Sequence, residues 1–278
     1  MNNQLMERWQ EAFLEHGYAE PTEIQTALYE PLVNGADVLA ISPTGTGKTV
    51  AYTLPLLEKI EAKPALQWLV LAPSHELVMQ IADAIRSWVS NSGISVAAII
   101  GGANVKRQIE RLKKKPQIIV GSPGRVFELI EQKKIKMHEL KVITLDEADQ
   151  LLLPENSKKT IEIVGRAQRD VELVLVSATR PAEPQAFFGQ FERTPLEMEV
   201  KPEHRATENI EHLYMDVENR DKATLIRRLS QIDEMRALVF VRDKPRMDIL
   251  LDKLAYDGVK AAGIHSDIRK DTRQKNAA

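Results

Sequence analysis

The 278-residue sequence contains no cysteine. Disulfides and thiolate metal sites are therefore excluded, and a reducing compartment is compatible, so we expect a cytoplasmic protein. No apolar run is long enough to cross a bilayer, and the first residues lack the basic start and apolar core of a signal peptide. We expect no contact with a membrane.

The sequence also lacks an excess of charge of either sign, since its formal net charge is −2. A chain without a general basic surplus has to contact nucleic acid through local groups. Its 43% hydrophobic and 28% charged residues are ordinary for a globular protein. Its length allows about two domains, each with its own core.

Residues 42–49 read Ser-Pro-Thr-Gly-Thr-Gly-Lys-Thr and lie between the apolar run 38–41 and a helical pattern over 50–58. Strand, glycine loop and helix in this order indicate a polyphosphate site, where backbone N–H groups and the helix N-terminus face the anion. Lys48 would reach the β- and γ-phosphates, and the Thr49 hydroxyl would bind Mg²⁺. The strict motif places glycine where Ser42 stands. The predicted nucleotide-binding residues of the loop are Ser42, Thr44, Gly45, Thr46, Gly47, Lys48 and Thr49.

Apolar runs rich in β-branched residues alternate with amphipathic segments along most of the chain. This alternation predicts an α/β fold whose parallel sheet is covered on both faces, with its site at the carboxyl ends of the strands. The predicted strands are 38–41, 68–72, 96–100, 118–120, 142–145 and 173–176, and the predicted helices include 5–16, 22–32, 76–88 and 126–132.

A polar passage over residues 201–209 interrupts the alternation and predicts a linker between a domain at 1–200 and a second, partial domain at 210–278. Beyond the linker the pattern restarts. It predicts strands at 212–217, 237–241 and 259–264 and helices at 222–232 and 245–256.

The acidic tetrapeptide Asp146-Glu147-Ala148-Asp149 directly follows the predicted strand 142–145. A carboxylate at a strand end beside the phosphate loop is where P-loop enzymes place a Mg²⁺-linked acid, here Asp146. Glu147 is then placed to polarise the attacking water. The predicted catalytic residues are Lys48, Asp146 and Glu147, and the predicted metal ligands are Thr49 and Asp146.

Together these residues resemble the DEAD-box family of ATP-dependent RNA helicases over nearly the whole chain. Residues 17–25 look like the family's Q motif, in which Gln25 would read the adenine edge. Trp9 lies near the position of the family's base-stacking aromatic, although a helix residue facing the core explains it equally well. The helicase form of the phosphate loop accepts serine at the position of Ser42. Ser177, Ala178 and Thr179 match the motif that couples hydrolysis to strand separation.

Further segments resemble the RNA-contacting motifs of the family. Residues 73–80 are similar to P-T-R-E-L-A-x-Q, with His75 in place of the usual arginine. Residues 265–273 resemble H-G-D-L-x-Q-x-x-R, with Ser266 and Lys270 as departures. The lysine run 113–115 is read as a solvated helix end rather than an RNA patch. The implied RNA contacts are Pro73, Ser74, Glu76, Gly101, Gly102, Ser122, Pro123, Gly124, Arg125 and Arg273.

The resemblance implies a RecA-like P-loop domain followed by a partial second RecA-like domain. ATP and single-stranded RNA would close the two domains on each other, and a short duplex would be separated locally. ATP and Mg²⁺ are the implied cofactors, and the implied partner is RNA bound largely without sequence preference, including RNA in ribonucleoproteins. The family's last motifs, with the arginines that reach the γ-phosphate, are not among the 278 residues, so we expect nucleotide binding with very slow hydrolysis.

Two alternatives stay open at the level of the sequence. One is another P-loop motor, either a DNA helicase or a GTPase, although no N-K-x-D guanine signature is present and Gln25 favours adenine. The other is a non-catalytic fragment that binds nucleotide and RNA.

Overall fold

The computed structural model describes residues 4–90, 92–201, 211, 213–233 and 235–265. The chain divides into two compact units, 1–206 and 207–278. Across the ranges that the structure describes, no helix combines the length and the apolar character needed to cross a membrane.

The first unit alternates strands and helices from one end to the other. Its strands are β1 (Val38–Ile41), β2 (Trp68–Leu71), β3 (Val96–Ile99), β4 (Ile118–Gly121), β5 (Val142–Asp146), β6 (Glu172–Ser177) and β7 (Leu196–Glu199). Its helices are α1 (Gln4–Glu15), α2 (Glu23–Val33), α3 (Lys48–Leu57), α4 (His75–Trp88), α5 (Val105–Lys113), α6 (Pro123–Glu131), α7 (Ala148–Leu151), α8 (Pro154–Val164) and α9 (Pro184–Gly189).

The seven strands form one sheet in the order β3-β4-β2-β5-β6-β1-β7, and every pairing is parallel. The predicted α/β fold with a parallel sheet is confirmed. The predicted strands do not include β7, an edge strand whose Leu-Glu-Met-Glu sequence is mostly exposed. An edge strand with one neighbour needs no continuous apolar run, so periodicity gives a weak signal there.

The core lies on both faces of the sheet because successive strand residues point to opposite sides. In β1, Leu39 packs in one apolar layer, whereas Val38 and Ala40 pack in the other. Trp68 is fully buried, and its indole N–H donates to the Thr144 hydroxyl at 2.9 Å. The sheet therefore has two buried faces and presents its strand ends to solvent.

Several helix ends follow local chemistry that the sequence carries. Gly17 follows α1 with a φ of 78°, a conformation that glycine adopts without a steric penalty. The Ser74 hydroxyl caps α4 by accepting the Leu77 N–H at 3.1 Å. The helix predicted at 126–132 begins earlier, at Pro123, because proline is favoured in the first turn.

In the second unit, the described helices are α10 (Lys222–Leu229) and α11 (Lys244–Tyr256), close to the two predicted helices. The three strands predicted there are wrong over the residues that the structure describes, since 213–217, 237–241 and 259–264 carry no strand. A strand requires a hydrogen-bonded neighbour, which apolar alternation alone does not provide. Phe240 is 92% exposed within its predicted strand. Of the predicted linker, all but Lys201 lies outside the described residues.

Gly121 at the end of β4 provides a test of the packing between the sheet and α6. A Cβ there would collide with the Val126 side chain and lie 2.9 Å from the Ile99 carbonyl oxygen. We expect Gly121→Ala to lower the free energy of unfolding of the first unit by about 1–3 kcal/mol. Urea unfolding followed by tryptophan fluorescence measures it, because all three tryptophans lie in this unit.

Gly124→Ala is the matched control, because a Cβ there would have only the Lys159 ammonium nearby, at 3.6 Å. Alanine is also a better helix former than glycine, so this variant should unfold at the wild-type midpoint or slightly above it. Equal loss of stability in both variants would contradict the packing described for Gly121.

Candidate active site

The predicted motifs meet at one edge of the sheet. Because all strands are parallel, their carboxyl ends lie on the same side, and each of β1 to β6 ends there in a predicted motif. β1 leads into the phosphate loop, β5 ends at Asp146, and β6 ends at Ser177. β2, β3 and β4 lead into the segments that resemble RNA-contacting motifs. Residues far apart in the sequence are thereby assembled into one surface.

The phosphate loop is held by its own polar groups. The Lys48 ammonium donates to the carbonyl oxygens of Ser42 and Pro43 at 2.8 and 2.7 Å. The buried Ser42 hydroxyl lies 2.7 Å from that of Thr46, which donates to Pro43 O at 2.8 Å. Gly45 and Gly47 have φ of 82° and 83°, where glycine is favoured. Serine at the first glycine position therefore supplies a hydrogen bond within the loop.

Gln25 joins helix α2 to the phosphate loop. Its side chain is 2% exposed, accepts the Thr22 N–H at 2.9 Å and donates to the Gly47 carbonyl at 3.3 Å. The Thr22 hydroxyl donates to the Thr46 carbonyl at 2.8 Å. A side chain at position 47 would collide with the Gln25 amide, so this contact requires glycine. The Q-like motif is thus packed directly against the loop.

Asp146 is almost fully buried at the end of β5. One carboxylate oxygen accepts from the Tyr52 hydroxyl at 2.8 Å, and the other accepts from the Glu147 N–H at 2.9 Å. Burial raises the pKa of Asp146, although these hydrogen bonds and the Lys48 charge oppose the rise. Burial also lowers the pKa of Lys48, against the pull of Asp146, Asp149 and Glu147. The site holds a carboxylate and an ammonium that are each short of solvation.

Glu147 has a φ of 51°, which is unusual for a residue other than glycine. Backbone strain of this kind is found at functional sites, where it fixes the direction of a side chain. Burial, followed by repulsion from Asp146 and Asp149, raises the pKa of Glu147. A raised pKa makes this carboxylate a better proton acceptor near neutral pH.

Ser177 connects the ends of three segments. Its carbonyl accepts the Ser42 N–H at 3.0 Å, and its hydroxyl accepts the Asp149 N–H at 3.2 Å. The Thr179 hydroxyl donates to the Asp149 carboxylate. Ala178 lies between them at the same strand end. The Ser-Ala-Thr segment is therefore hydrogen-bonded both to the phosphate loop and to the acidic motif.

The structure places Trp9 in the packing between α1 and α4. Its ring lies edge-on to Trp88 at a centroid distance of 6.3 Å, and its indole N–H donates to Glu58 at 3.2 Å. These contacts pack Trp9 against Trp88 and Glu58, and its stacking on a base stays a prediction. Thr44 lies in the phosphate loop, and Thr49 is the second residue of α3, directly after the glycines of the loop.

The candidate RNA-contacting loops lie next to one another at this edge. The Gln108 amide, 4% exposed, donates to the Ile100 carbonyl at 2.9 Å, directly before Gly101 and Gly102. Arg125 pairs with Glu128 at 2.9 Å, and its side chain is 11% exposed. Arg125 therefore supports structure more than it faces solvent. Helix α4 begins directly after Pro73 and Ser74 and contains Glu76. Helix α6 begins directly after Ser122 and contains Pro123 and Gly124. Arg273 lies outside the described residues.

The sequence did not identify two residues that support the site, Tyr52 and Gln108. Tyr52 follows Lys48 by one helical turn in α3, and that spacing was the available signal. Gln108 gave no local signal, because a polar residue in an amphipathic helix normally faces solvent.

The donor set fits Mg²⁺. This ion prefers oxygen ligands and is usually held by one or two protein groups together with phosphates and water. The Thr49 hydroxyl and the buried Asp146 carboxylate are such groups. No group of three or more His, Asp or Glu side chains among the described residues forms a protein-only metal site.

A seven-stranded parallel sheet with a glycine-lysine-threonine loop after β1 and an acidic motif after β5 defines a RecA-like P-loop protein. The DEAD/DEAH box helicase family model matches residues 22–187. The chain belongs to the DEAD/DEAH box helicase family.

The comparisons with individual proteins agree. The chain is 44% identical over 267 residues to the Probable ATP-dependent RNA helicase YfmL of Bacillus subtilis, covering 96% of this chain and 71% of that protein. It is 40% identical to the DEAD-box ATP-dependent RNA helicase CshC of Bacillus cereus, covering 97% and 68%.

Solved structures give the same fold. Dbp5 of Saccharomyces cerevisiae, bound to RNA and ADP BeF3, matches with a TM-score of 0.80 at 25% identity, over 96% of this chain and 69% of that one. A DEAD box protein from the hyperthermophile Methanococcus jannaschii matches with a TM-score of 0.66 at 30% identity, over 95% and 72%.

Burial of Asp146 generates a prediction about stability. Because its pKa is raised, the folded protein keeps this proton over a pH range in which the unfolded chain has lost it, so this group makes the protein less stable as the pH rises. Asp146→Asn removes the charge, and the new amide can donate to Tyr52 O while its oxygen accepts the Glu147 N–H. We expect a gain of about 0.5–2 kcal/mol near neutral pH.

Urea unfolding at several pH values measures this gain, which should grow as the pH rises from the ordinary carboxyl pKa to the raised pKa of Asp146 and stay constant above it. The exposed Asp170→Asn removes a carboxylate at the surface and is the control, expected to unfold within about 0.5 kcal/mol of wild type. Loss of stability in Asp146→Asn at every pH would contradict the account of a poorly solvated carboxylate. The same variant should weaken binding of Mg²⁺ with ATP, because it removes an anionic ligand.

Proposed function

We propose that this chain binds ATP with Mg²⁺ at the site of an ATP-dependent RNA helicase, an enzyme that couples the nucleotide to local separation of short RNA duplexes, and that the 278 residues themselves turn ATP over very slowly. The observation that carries the proposal is the position of Ser177, which is hydrogen-bonded to the phosphate loop through Ser42 and to the acidic motif through Asp149. A change at the nucleotide would reach the Ser-Ala-Thr segment through these two contacts.

The nucleotide step uses the phosphate loop. Backbone N–H groups between Thr44 and Thr49 and the N-terminus of α3 would hold the phosphates. Lys48 would exchange its bonds to Ser42 and Pro43 for the β- and γ-phosphates, a better match for its charge. Gln25, held beside Gly47, would read the adenine edge.

Mg²⁺, held by Thr49 and Asp146, would neutralise charge on the phosphates. Tyr52 fixes the orientation of the Asp146 carboxylate through its hydroxyl. Glu147 would accept a proton from the attacking water, and its raised pKa and fixed backbone suit that role.

The RNA step would use the loops after β2, β3 and β4. Gly101 and Gly102 allow a sugar-phosphate backbone to approach closely, and the N-termini of α4 and α6 offer N–H groups to phosphates. Such contacts recognise backbone shape and the 2′-hydroxyl, so little sequence preference is expected. Residues 210–278 would contribute part of a second RecA-like domain, including Arg273.

Lys48→Ala tests the nucleotide site. Loss of the ammonium removes charged hydrogen bonds to phosphate, so affinity for a fluorescent ATP analogue should fall by roughly tenfold to a hundredfold or more. Lys222→Ala, an exposed residue of α10, is the control and should bind like wild type. Unchanged affinity in Lys48→Ala would place the phosphates elsewhere, and equal affinity for GTP would favour a different P-loop motor.

Steady-state ATP hydrolysis with and without single-stranded RNA tests the coupling. We expect the 278 residues to bind nucleotide but to turn it over very slowly, because they do not include the family's arginines that reach the γ-phosphate. Such an arginine typically raises the rate of hydrolysis by about 10³–10⁵-fold. Glu147→Gln serves as the blank, since it should bind ATP and not hydrolyse it. RNA-stimulated turnover above this blank would contradict the expectation of slow hydrolysis and support the enzyme over a binding fragment.

A further inference from the structure

A second cavity lies at the opposite edge of the same sheet. It has a volume of about 450 Å³, and its walls include residues 64–66 before β2, Pro116 before β4 and residues 133–136, 138 and 139 before β5. The amino ends of parallel strands lie on the side away from their carboxyl ends. This pocket is therefore separate from the candidate active site, and no motif of the proposed function includes it.

The floor of the pocket is aliphatic. Leu66, Leu112, Ile119 and Ile135 line it and belong to the buried core on one face of the sheet. Ile109 of α5 adds a partly buried wall. The residues that line the pocket include no phenylalanine, tyrosine or tryptophan. An aliphatic side chain would fill this space, whereas a flat base would find only the exposed imidazole of His138 to stack on.

The rim of the pocket is basic. Five exposed lysines line it, against a single glutamate, Glu139, which already pairs with Lys63 at 3.1 Å. Among the described residues, only one of the five lysines has an ion pair, that of Lys113 with Glu110 at 2.6 Å. In a chain with a net charge of −2, this is a local concentration of positive charge. The five lysines are Lys113, Lys115, Lys133, Lys134 and Lys136.

Two of these lysines occupy strained positions. Lys115 and Lys133 have φ of 52° and 57° just beyond the ends of α5 and α6, where glycine is favoured. Lysines near helix C-termini complement the helix dipole, which accounts for charge at Lys113 and Lys133. That explanation does not extend to Lys134 and Lys136, which lie in the loop before β5, nor to the cavity beneath them.

We propose that this pocket binds an acidic segment of a partner protein, with an aliphatic side chain of the segment in the cavity and its carboxylates on the lysine rim. The volume lies in the range of ligand pockets in proteins. Complementary charge around an apolar anchor is a usual basis of specific docking. Because the pocket lies across the sheet from the phosphate loop, such a partner would remain bound while nucleotide and RNA occupy the other edge.

The test uses the 278-residue chain and a short fluorescein-labelled peptide of alternating glutamate and leucine, followed by fluorescence anisotropy. Saturable binding is expected. The double variant Lys134→Glu, Lys136→Glu should weaken it by at least about tenfold, since two attractive contacts become repulsive. The matched control Lys222→Glu, Lys260→Glu makes the same charge change at exposed lysines of the second unit and should bind like wild type. Unchanged binding of the ATP analogue verifies the fold of each variant.

Two further peptides and single-stranded RNA test whether the binding depends on the aliphatic cavity, on acidic charge and on a protein partner. A polyglutamate peptide of equal length should bind more weakly, because it offers nothing to the aliphatic floor. No saturable binding of the glutamate-leucine peptide up to about 1 mM, or equal binding of a lysine-leucine peptide, overturns the proposal. If the double variant weakens single-stranded RNA binding and leaves peptide binding unchanged, the lysines form an RNA surface and the proposal is wrong.

Discussion

The pairing of β6 between β1 and β5 is the constraint on which the site depends. In this register Ile41 lies opposite Ser177, and Asp146 lies opposite Val176, so the three strands end together. Ser177 then reaches both neighbours through hydrogen bonds, one to Ser42 and one to Asp149. Without this order, the phosphate loop and the acidic motif would lie at the same edge but without a shared contact. The sheet thus determines which motifs touch as well as which edge they occupy.

The same edge concentrates features that cost stability. One small region holds a buried carboxylate at Asp146, a poorly solvated ammonium at Lys48 and a left-handed backbone at Glu147. Two buried apolar layers on the faces of the sheet offset this cost. Tyr52 and Gln25 limit it locally by satisfying the polar atoms of the site. The rigid sheet holds poorly solvated groups in place for a ligand that would neutralise them.

The two edges of the sheet differ in chemistry for the same topological reason. Parallel strands bring every carboxyl end to one side, where glycine loops and helix N-termini expose N–H groups suited to phosphate. The amino ends collect the C-termini of helices, whose partial negative charge attracts lysines. Around Ile135 and Leu112, such lysines together with Lys134 and Lys136 of the loop before β5 surround an aliphatic cavity, which gives this edge a surface that phosphate chemistry does not explain. The two edges of the sheet therefore differ in charge and in shape.

The sequence by itself determined the parallel α/β class, the phosphate loop and the family, because these depend on short-range patterns: β-branched runs, a glycine-lysine-threonine loop and motif spacing. It also predicted that the first helix ends near residue 16, where Gly17 alone sets the local backbone. Only the tertiary structure decided the contact of Tyr52 with Asp146, the burial of Gln108, the packed position of Trp9 and the edge strand β7. It also showed that the described residues 213–217, 237–241 and 259–264 form no strand, although their sequence predicts one. The physical reason is that burial and strand pairing depend on neighbours distant in the sequence, whereas turns, caps and loops depend on adjacent residues.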